Sequence, residues 1–179
     1  MHTFLKVGIL PRKLQRRCNS VSTSFRFNCS IPESTIFKMN FTISKYYPGV
    51  RPQVTLPTHD MFLLLKEEGI REMVSDFYDL LTKSTIKDLF PKNPVALEKA
   101  KEHSADFFIQ ICGGPDYFNK HRGQPKLNQR HQPFKITAEA RQVWLECYKT
   151  ILQKQNLPDE VLLSFWNYLD VFSKWMVNS

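Results

Sequence analysis

The chain contains no run of about 18 apolar residues, so no segment reads as a membrane-spanning helix. Its four cysteines (Cys18, Cys29, Cys112 and Cys147) form no Cys-x-x-Cys pair and no short Cys/His spacing. That argues against structural zinc and against a disulfide framework, and reduced thiols in a reducing compartment are expected. No stretch of useful length alternates apolar and polar residues as a half-buried strand does. Internal repeats and low-complexity tracts are also missing. Acid is scarce in the first 38 positions, where Glu33 stands against seven Lys/Arg residues (Lys6, Arg12, Lys13, Arg16, Arg17, Arg26 and Lys38).

That scarcity locates the charge. The net +8 over 179 residues suggests nucleic acid or an acidic membrane as a partner, but residues 39–179 hold 18 basic and 16 acidic residues, close to balance. The basic character belongs to the leading segment, whose Arg/Ser-rich, acid-poor composition is that of an organellar presequence. The alternative reading is that Met39 is the true start. Residues 1–38 are expected to be a disordered extension, 39–59 an extended arm over the core, and 60–179 one folded domain. No nucleic-acid or membrane partner is expected. A cytoplasmic location is, or an organellar one if residues 1–38 are a real presequence. A basic helical binding module acting through residues 1–38 is the competing class, and the near-neutral body argues against it.

What is present is helical periodicity and aromatic bulk, with 42% apolar and 13% aromatic residues, enough for one core. Thr58 or Asp60 is expected to cap a helix whose inner face carries Ile70, Met73, Val74, Phe77, Leu80 and Leu81, and Gly69 is a candidate break within it. "LFPKNP" (Leu89–Pro94) separates it from a second helix, beginning near Val95, with Leu97, Ala100, Phe107, Phe108 and Ile111 inward. "GGP" ends that helix. Residues 116–136 read as irregular, with at most a short helix before Pro133. Thr137 then caps a helix presenting Ala140, Val143, Trp144, Cys147, Tyr148, Ile151 and Leu152. "NLPDE" opens the last helix, with Leu162, Phe165, Trp166, Leu169, Phe172 and Met176 inward. The prediction is an all-α domain of about five helices.

Such a domain has room for a ligand pocket if its own side chains leave one. Most of the aromatic residues are accounted for by packing. Tyr78 and Trp144 are less easily dismissed, because each carries a polar atom into the interior that needs a partner. His131, taken alone beside Pro133, reads as a loop residue. His103 lies among polar neighbours and is expected to face solvent. A Cys/His hydrolase using Cys112 or Cys147 lacks a nucleophile turn and an orienting third group.

The stretch Gly113–Tyr148, "GGPDYFNKHRGQPKLNQRHQPFKITAEARQVWLECY", resembles the second group of truncated haemoglobins in its ordered elements GGP, an aromatic, RG-x-P, RH-x-PF and R-x-x-WL. "DFYDLL…LFP" upstream and "FWNYLDVFSKWMVN" at the end match the same family, so the resemblance spans roughly residues 66–178. It implies a two-over-two helical sandwich enclosing haem b, with His131 as the iron ligand and the sixth position open to O2, NO or another small ligand. It further implies Arg130 beside a haem propionate, Phe134 packed under the porphyrin, and Phe90 wedged against it where many relatives carry tyrosine. Tyr78 and Trp144 are placed over the iron as hydrogen-bond donors, Ala100 at the gas gate and Ser104 one turn later. Cys112 is expected to be a packed thiol. The resemblance leaves open reversible O2 binding, NO dioxygenation or peroxidase-like chemistry fed by an external reductase, in a monomer or homodimer. A globin-like fold serving without haem is the lesser reading, since Tyr78 and Trp144 would then be buried donors without purpose.

Overall fold

The computed structural model describes residues 39–179, and the expectations for residues 1–38 lie outside the described residues. Six α-helices and one 3-10 turn, with no strand among the described residues, make an all-α unit. The helices are α1 (Asp60–Leu81), α2 (Pro94–Ile111), α3 (Tyr117–Arg122), α4 (Leu127–His131), α5 (Ala138–Leu152) and α6 (Asp159–Lys174). The pair α1/α2 packs against the pair α5/α6, chiefly through α1, and α3 leans on α2. The two-over-two sandwich is therefore present, one helix richer than the expected five. The extra element comes from the stretch read as irregular, which holds two helices where one at most was expected. At six and five residues neither shows enough turns for a 3.6-residue pattern to emerge.

The long helices begin and end for local reasons. Asn93 accepts from Ala96 N at 3.1 Å and Pro94 occupies the first helical position, so α2 starts where a missing N–H costs nothing. Thr137 caps α5 by accepting from Ala140 N at 3.1 Å. At α1 neither Thr58 nor Asp60 is the cap: His59 holds that position without a side-chain bond. The break inside α1 is at Lys66 (φ 57°, ψ −169°), three residues before the expected Gly69. A lysine with positive φ is strained backbone, held because Met61 on one side and Ile70 on the other are both fully buried. After α2 the chain passes so close to the start of α1 that side chains do not fit. A Cβ on Gly113 would lie 2.7 Å from the His59 ring, and one on Gly114 2.6 Å from Phe62.

The core runs between the two helix pairs and takes in residues from outside them, Phe118 of α3 and Phe41 among them. Phe41, in the segment before α1, is 1% exposed and packs on Trp166 with ring centroids 4.9 Å apart. The segment is further fixed by Trp166 Nε1 donating to Thr42 O (3.1 Å), Trp175 Nε1 donating to Pro52 O (2.9 Å) and Thr58 N donating to Ser164 Oγ (2.9 Å). No helix of the described residues is long and apolar enough to cross a membrane.

Candidate functional site

Between α1, α2, α5 and the α4 segment the side chains leave a cleft with two adjoining lobes, about 270 and about 310 Å³. All eight residues singled out from the sequence line it: Tyr78, Phe90, Ala100, Ser104, Arg130, His131, Phe134 and Trp144. They come from five separate parts of the chain. α1 and α5 bring Tyr78 and Trp144 together because Phe77 and Tyr148, both almost wholly buried, stack with centroids 3.6 Å apart between them. The Trp144 ring meets Tyr148 edge-on at 4.6 Å and Phe77 at 5.5 Å. Phe90, just past the 3-10 turn Lys87–Leu89, sets its ring edge to Tyr78 at 5.8 Å.

The polar groups in the cleft are few and unevenly satisfied. The Tyr78 hydroxyl lies 2.8 Å from Ser104 Oγ, and burial pushes the phenol's pKa up, so it remains an O–H donor. Trp166 and Trp175 both give their indole N–H to a backbone carbonyl, whereas that of Trp144 has no partner among the described residues. His131 Nδ1 lies 2.7 Å from Leu127 O. A carbonyl only accepts, so Nδ1 carries the proton and Nε2 is left with its lone pair, the form in which imidazole binds a metal. Nε2 makes no hydrogen bond among the described residues.

The Arg130 guanidinium donates to Pro125 O and Arg122 O (both 2.8 Å) and lies 5.6 Å over the Phe118 ring, so it first ties together the loop before α4. Gly123, at φ 69° and ψ −163°, allows that loop its turn. His103, expected among solvent-facing residues, keeps part of its surface in solvent and turns its ring to an arginine. Half-buried at the edge of the cleft, it meets Arg122 with Nδ1 2.5 Å and Nε2 3.1 Å from one guanidinium nitrogen. Burial and the facing guanidinium hold its pKa below the usual range, which keeps it the neutral acceptor that an arginine requires. Phe134 is 45% exposed at the rim, unusually bare for its size. Cys112 is a buried thiol with its pKa pushed up to about 12.

The sequence reading gave no role to Arg141, which the structure places in the cleft wall one turn before Trp144. It is 4% exposed and pairs with Asp170 Oδ1 at 2.6 Å, also donating to Ser173 Oγ (3.0 Å), Ser44 O (3.0 Å) and Asp170 O (2.9 Å). Burial pulls its pKa down, against the raising effect of Asp170. Ser44 also bonds Asp170 through both its N–H and its hydroxyl. The only sequence signals were the arginine in the R-x-x-W spacing and one acid on the inner face of α6.

A flat, apolar group with anionic edges suits this cleft. Its lining is mostly aromatic and aliphatic, His131 offers one free ring nitrogen, Trp144 offers an unused donor, and neither Arg122 nor Arg130 has a carboxylate partner among the described residues. No cluster of three or more His, Cys, Asp or Glu side chains able to hold a bare ion occurs among the described residues. A metal at His131 would have to bring its remaining ligands, as a porphyrin does.

Comparison with known proteins identifies the family. The family model described as bacterial-like globin matches residues 64–178. The group 2 truncated haemoglobin YjbI of Bacillus subtilis is 30% identical over 113 residues, covering 63% of this chain and 83% of the relative. Phosphate-bound Hell's gate globin IV superposes with a TM-score of 0.71 at 37% identity, over 76% of this chain and 85% of that one. The truncated oxygen-avid haemoglobin from Bacillus subtilis does so with a TM-score of 0.61 at 29% identity, over 65% and 98%. In sequence and in fold, the chain belongs to the bacterial-like globins and, among them, to the group II truncated haemoglobins, a family of haem-binding globins.

Proposed function

We propose that the protein binds haem b in this cleft through His131 and takes up O2 reversibly, with NO and CO as further ligands. The observation that carries the reading is the His131 tautomer: Nδ1 bonded to Leu127 O and Nε2 free at the cleft. Bound haem would supply an iron with one position open to a diatomic gas. The chain's own part is to hold, orient and shield. Phe90 and Phe134 would pack on the apolar group, and Arg122 or Arg130 would meet its carboxylates. Tyr78 and Trp144 would offer hydrogen-bond donors to a small ligand held there, as an oxyanion site does. Ser104 directs the Tyr78 proton: when the serine donates to the phenol oxygen, the phenol proton is free for the ligand. Ala100, small and without a hydrogen-bonding side chain, leaves the entry open. Two donors favour retention over rapid release, which suits sensing or storage. NO dioxygenation or peroxide turnover would need electrons from a partner reductase.

Optical spectra of the wild type and His131→Ala, oxidised, reduced and with CO, test the reading. A Soret band that shifts with CO and is lost or altered in the variant is expected. A wild-type chain that stays colourless when haem is supplied would overturn the proposal.

A further inference from the structure

His131 sits on the shortest α-helix among the described residues, five residues long, entered through Lys126 in the left-handed region (φ 40°, ψ 43°) and left through Gln132 and Pro133. Its bond to Leu127 O orients the ring relative to α4 but says nothing about where α4 itself stands. A five-residue helix has too few internal bonds to hold its own position. Arg130 ties α4 to the loop before it, and the remaining bonds come from the turn directly after α6.

Trp175 O accepts from Asn128 Nδ2 at 3.0 Å, which fixes the first turn of α4. Asn178 then bridges the turn His131–Ile136 at both ends. Its Nδ2 donates to His131 O (3.2 Å), its Oδ1 accepts from Ile136 N (3.0 Å), and its own N–H donates to Ile136 O (3.0 Å). The turn adds one internal bond, Phe134 N to His131 O at 3.1 Å. Trp175 is itself anchored, by its indole N–H on Pro52 O and by the Arg51 guanidinium 5.7 Å over its ring. The side chain at 178 must offer a donor and an acceptor in one short planar group, and among the natural residues asparagine does this with the reach found here. Asn178 is nonetheless exposed and outside the core, so its three bonds over some forty residues are not a by-product of burial.

We infer that the turn Trp175–Asn178 is a clamp that positions His131 at the cleft, with Asn178 as the positioning residue. The inference rests on the reading of His131 as the iron ligand. Without the Asn178 side chain, α4 keeps its internal bonds and the Asn128 bond to Trp175 O, but the His131–Ile136 turn loses the two side-chain bonds that hold its ends, and the imidazole samples a wider range of tilts. Groups that orient a metal ligand from behind typically change metal affinity by about 10- to 100-fold when removed.

The test uses the full chain as wild type, Asn178→Leu, Asn178→Asp and His131→Ala. Three quantities are followed: the rate of haem transfer to an excess of an acceptor globin, the iron–histidine stretching frequency of the reduced protein, and amide hydrogen exchange at 134 and 136 in the haem-free chain. Asn178→Leu should lose haem about tenfold faster, shift or broaden the stretching band, and exchange both amides faster. Asn178→Asp keeps the acceptor for Ile136 N and loses the donor to His131 O, so it should protect 136 while still loosening the haem. Wild-type haem loss and exchange in Asn178→Leu would overturn the clamp. So would faster haem loss with an unchanged stretching band, since that is a loosened fold and not a misplaced ligand. Should Asn178→Leu fail to fold, the aspartate variant decides by the same three readouts. If His131→Ala keeps wild-type haem loss, the ligand reading itself falls and the clamp with it. If only His131→Ala departs from wild type, the ligand reading stands and the clamp alone falls.

Discussion

The two walls of the cleft are built on different principles. The wall carrying Tyr78, Ser104 and Trp144 stands on helices of 22, 18 and 15 residues, and its side chains are fixed by aromatic contact in a buried core. The wall carrying His131 stands on five helical residues between loops, and hydrogen bonds to backbone carbonyls and amides hold it from the far end of the chain. Packing fixes where a side chain is but tolerates small slides, while a directional bond fixes an angle. A metal ligand needs the angle, and a donor facing a small gas molecule needs chiefly the place and a dry surround.

The contrast is not absolute, and the largest predicted effect lies where it fails. Inside the packed wall, Arg141 and Asp170 form a buried polar anchor. Asp170→Ala leaves the guanidinium uncompensated and strips Ser44 of its partner, and should cost about 3–5 kcal/mol in urea unfolding. A loss below about 1 kcal/mol would show that aromatic packing holds this wall unaided. Next come the donors. Trp144→Phe and Tyr78→Phe keep the packing and remove the polar atom, so each should speed O2 dissociation by about tenfold in stopped-flow displacement, with little change in haem retention. Haem loss in either variant would mean that the two walls are not separable.

The smallest expected effect concerns the rim. The His103 pKa is depressed in the folded chain, so the unfolded chain binds its proton first as the pH falls. The contribution of His103 is therefore present above its unfolded pKa, about 6.5, and is lost progressively as the pH drops through the lower folded value. Unfolding of the haem-free protein should show a stability slope below about pH 6.5 that His103→Gln reduces. An unchanged slope in the variant would remove His103 from the account.

How far the sequence revealed each wall follows from the same physics. α1, α2, α5 and α6 are long enough for their apolar faces to repeat, and Thr137 signalled its cap in one residue. The bend at Lys66 could not be read, because nothing in a lysine announces a positive φ and burial on both sides imposes it. Helices α3 and α4 were too short to show a period. Arg141 with Asp170, and Asn178 with His131, pair residues 29 and 47 positions apart, and no local pattern encodes such partners. His103 had polar neighbours in sequence and an arginine from another helix in space. The eight cleft residues came from the family resemblance; composition and spacing alone gave only Tyr78 and Trp144 as unusual.

The segment before α1 has one more consequence, for the order in which the chain assembles. The family match begins at residue 64, yet Phe41 and the carbonyls of Thr42 and Ser44 complete the core and its anchor from outside that match. The unit that folds is thus larger than the stretch that the family model matches. Closing Thr42 onto Trp166 joins positions 124 apart, the kind of long loop whose entropy makes a contact slow to form. The helical sandwich is accordingly expected to assemble first, with a gap where Phe41 belongs and an unsatisfied Trp166. The leading segment then docks as the last step, turning a collapsed globin into a closed one.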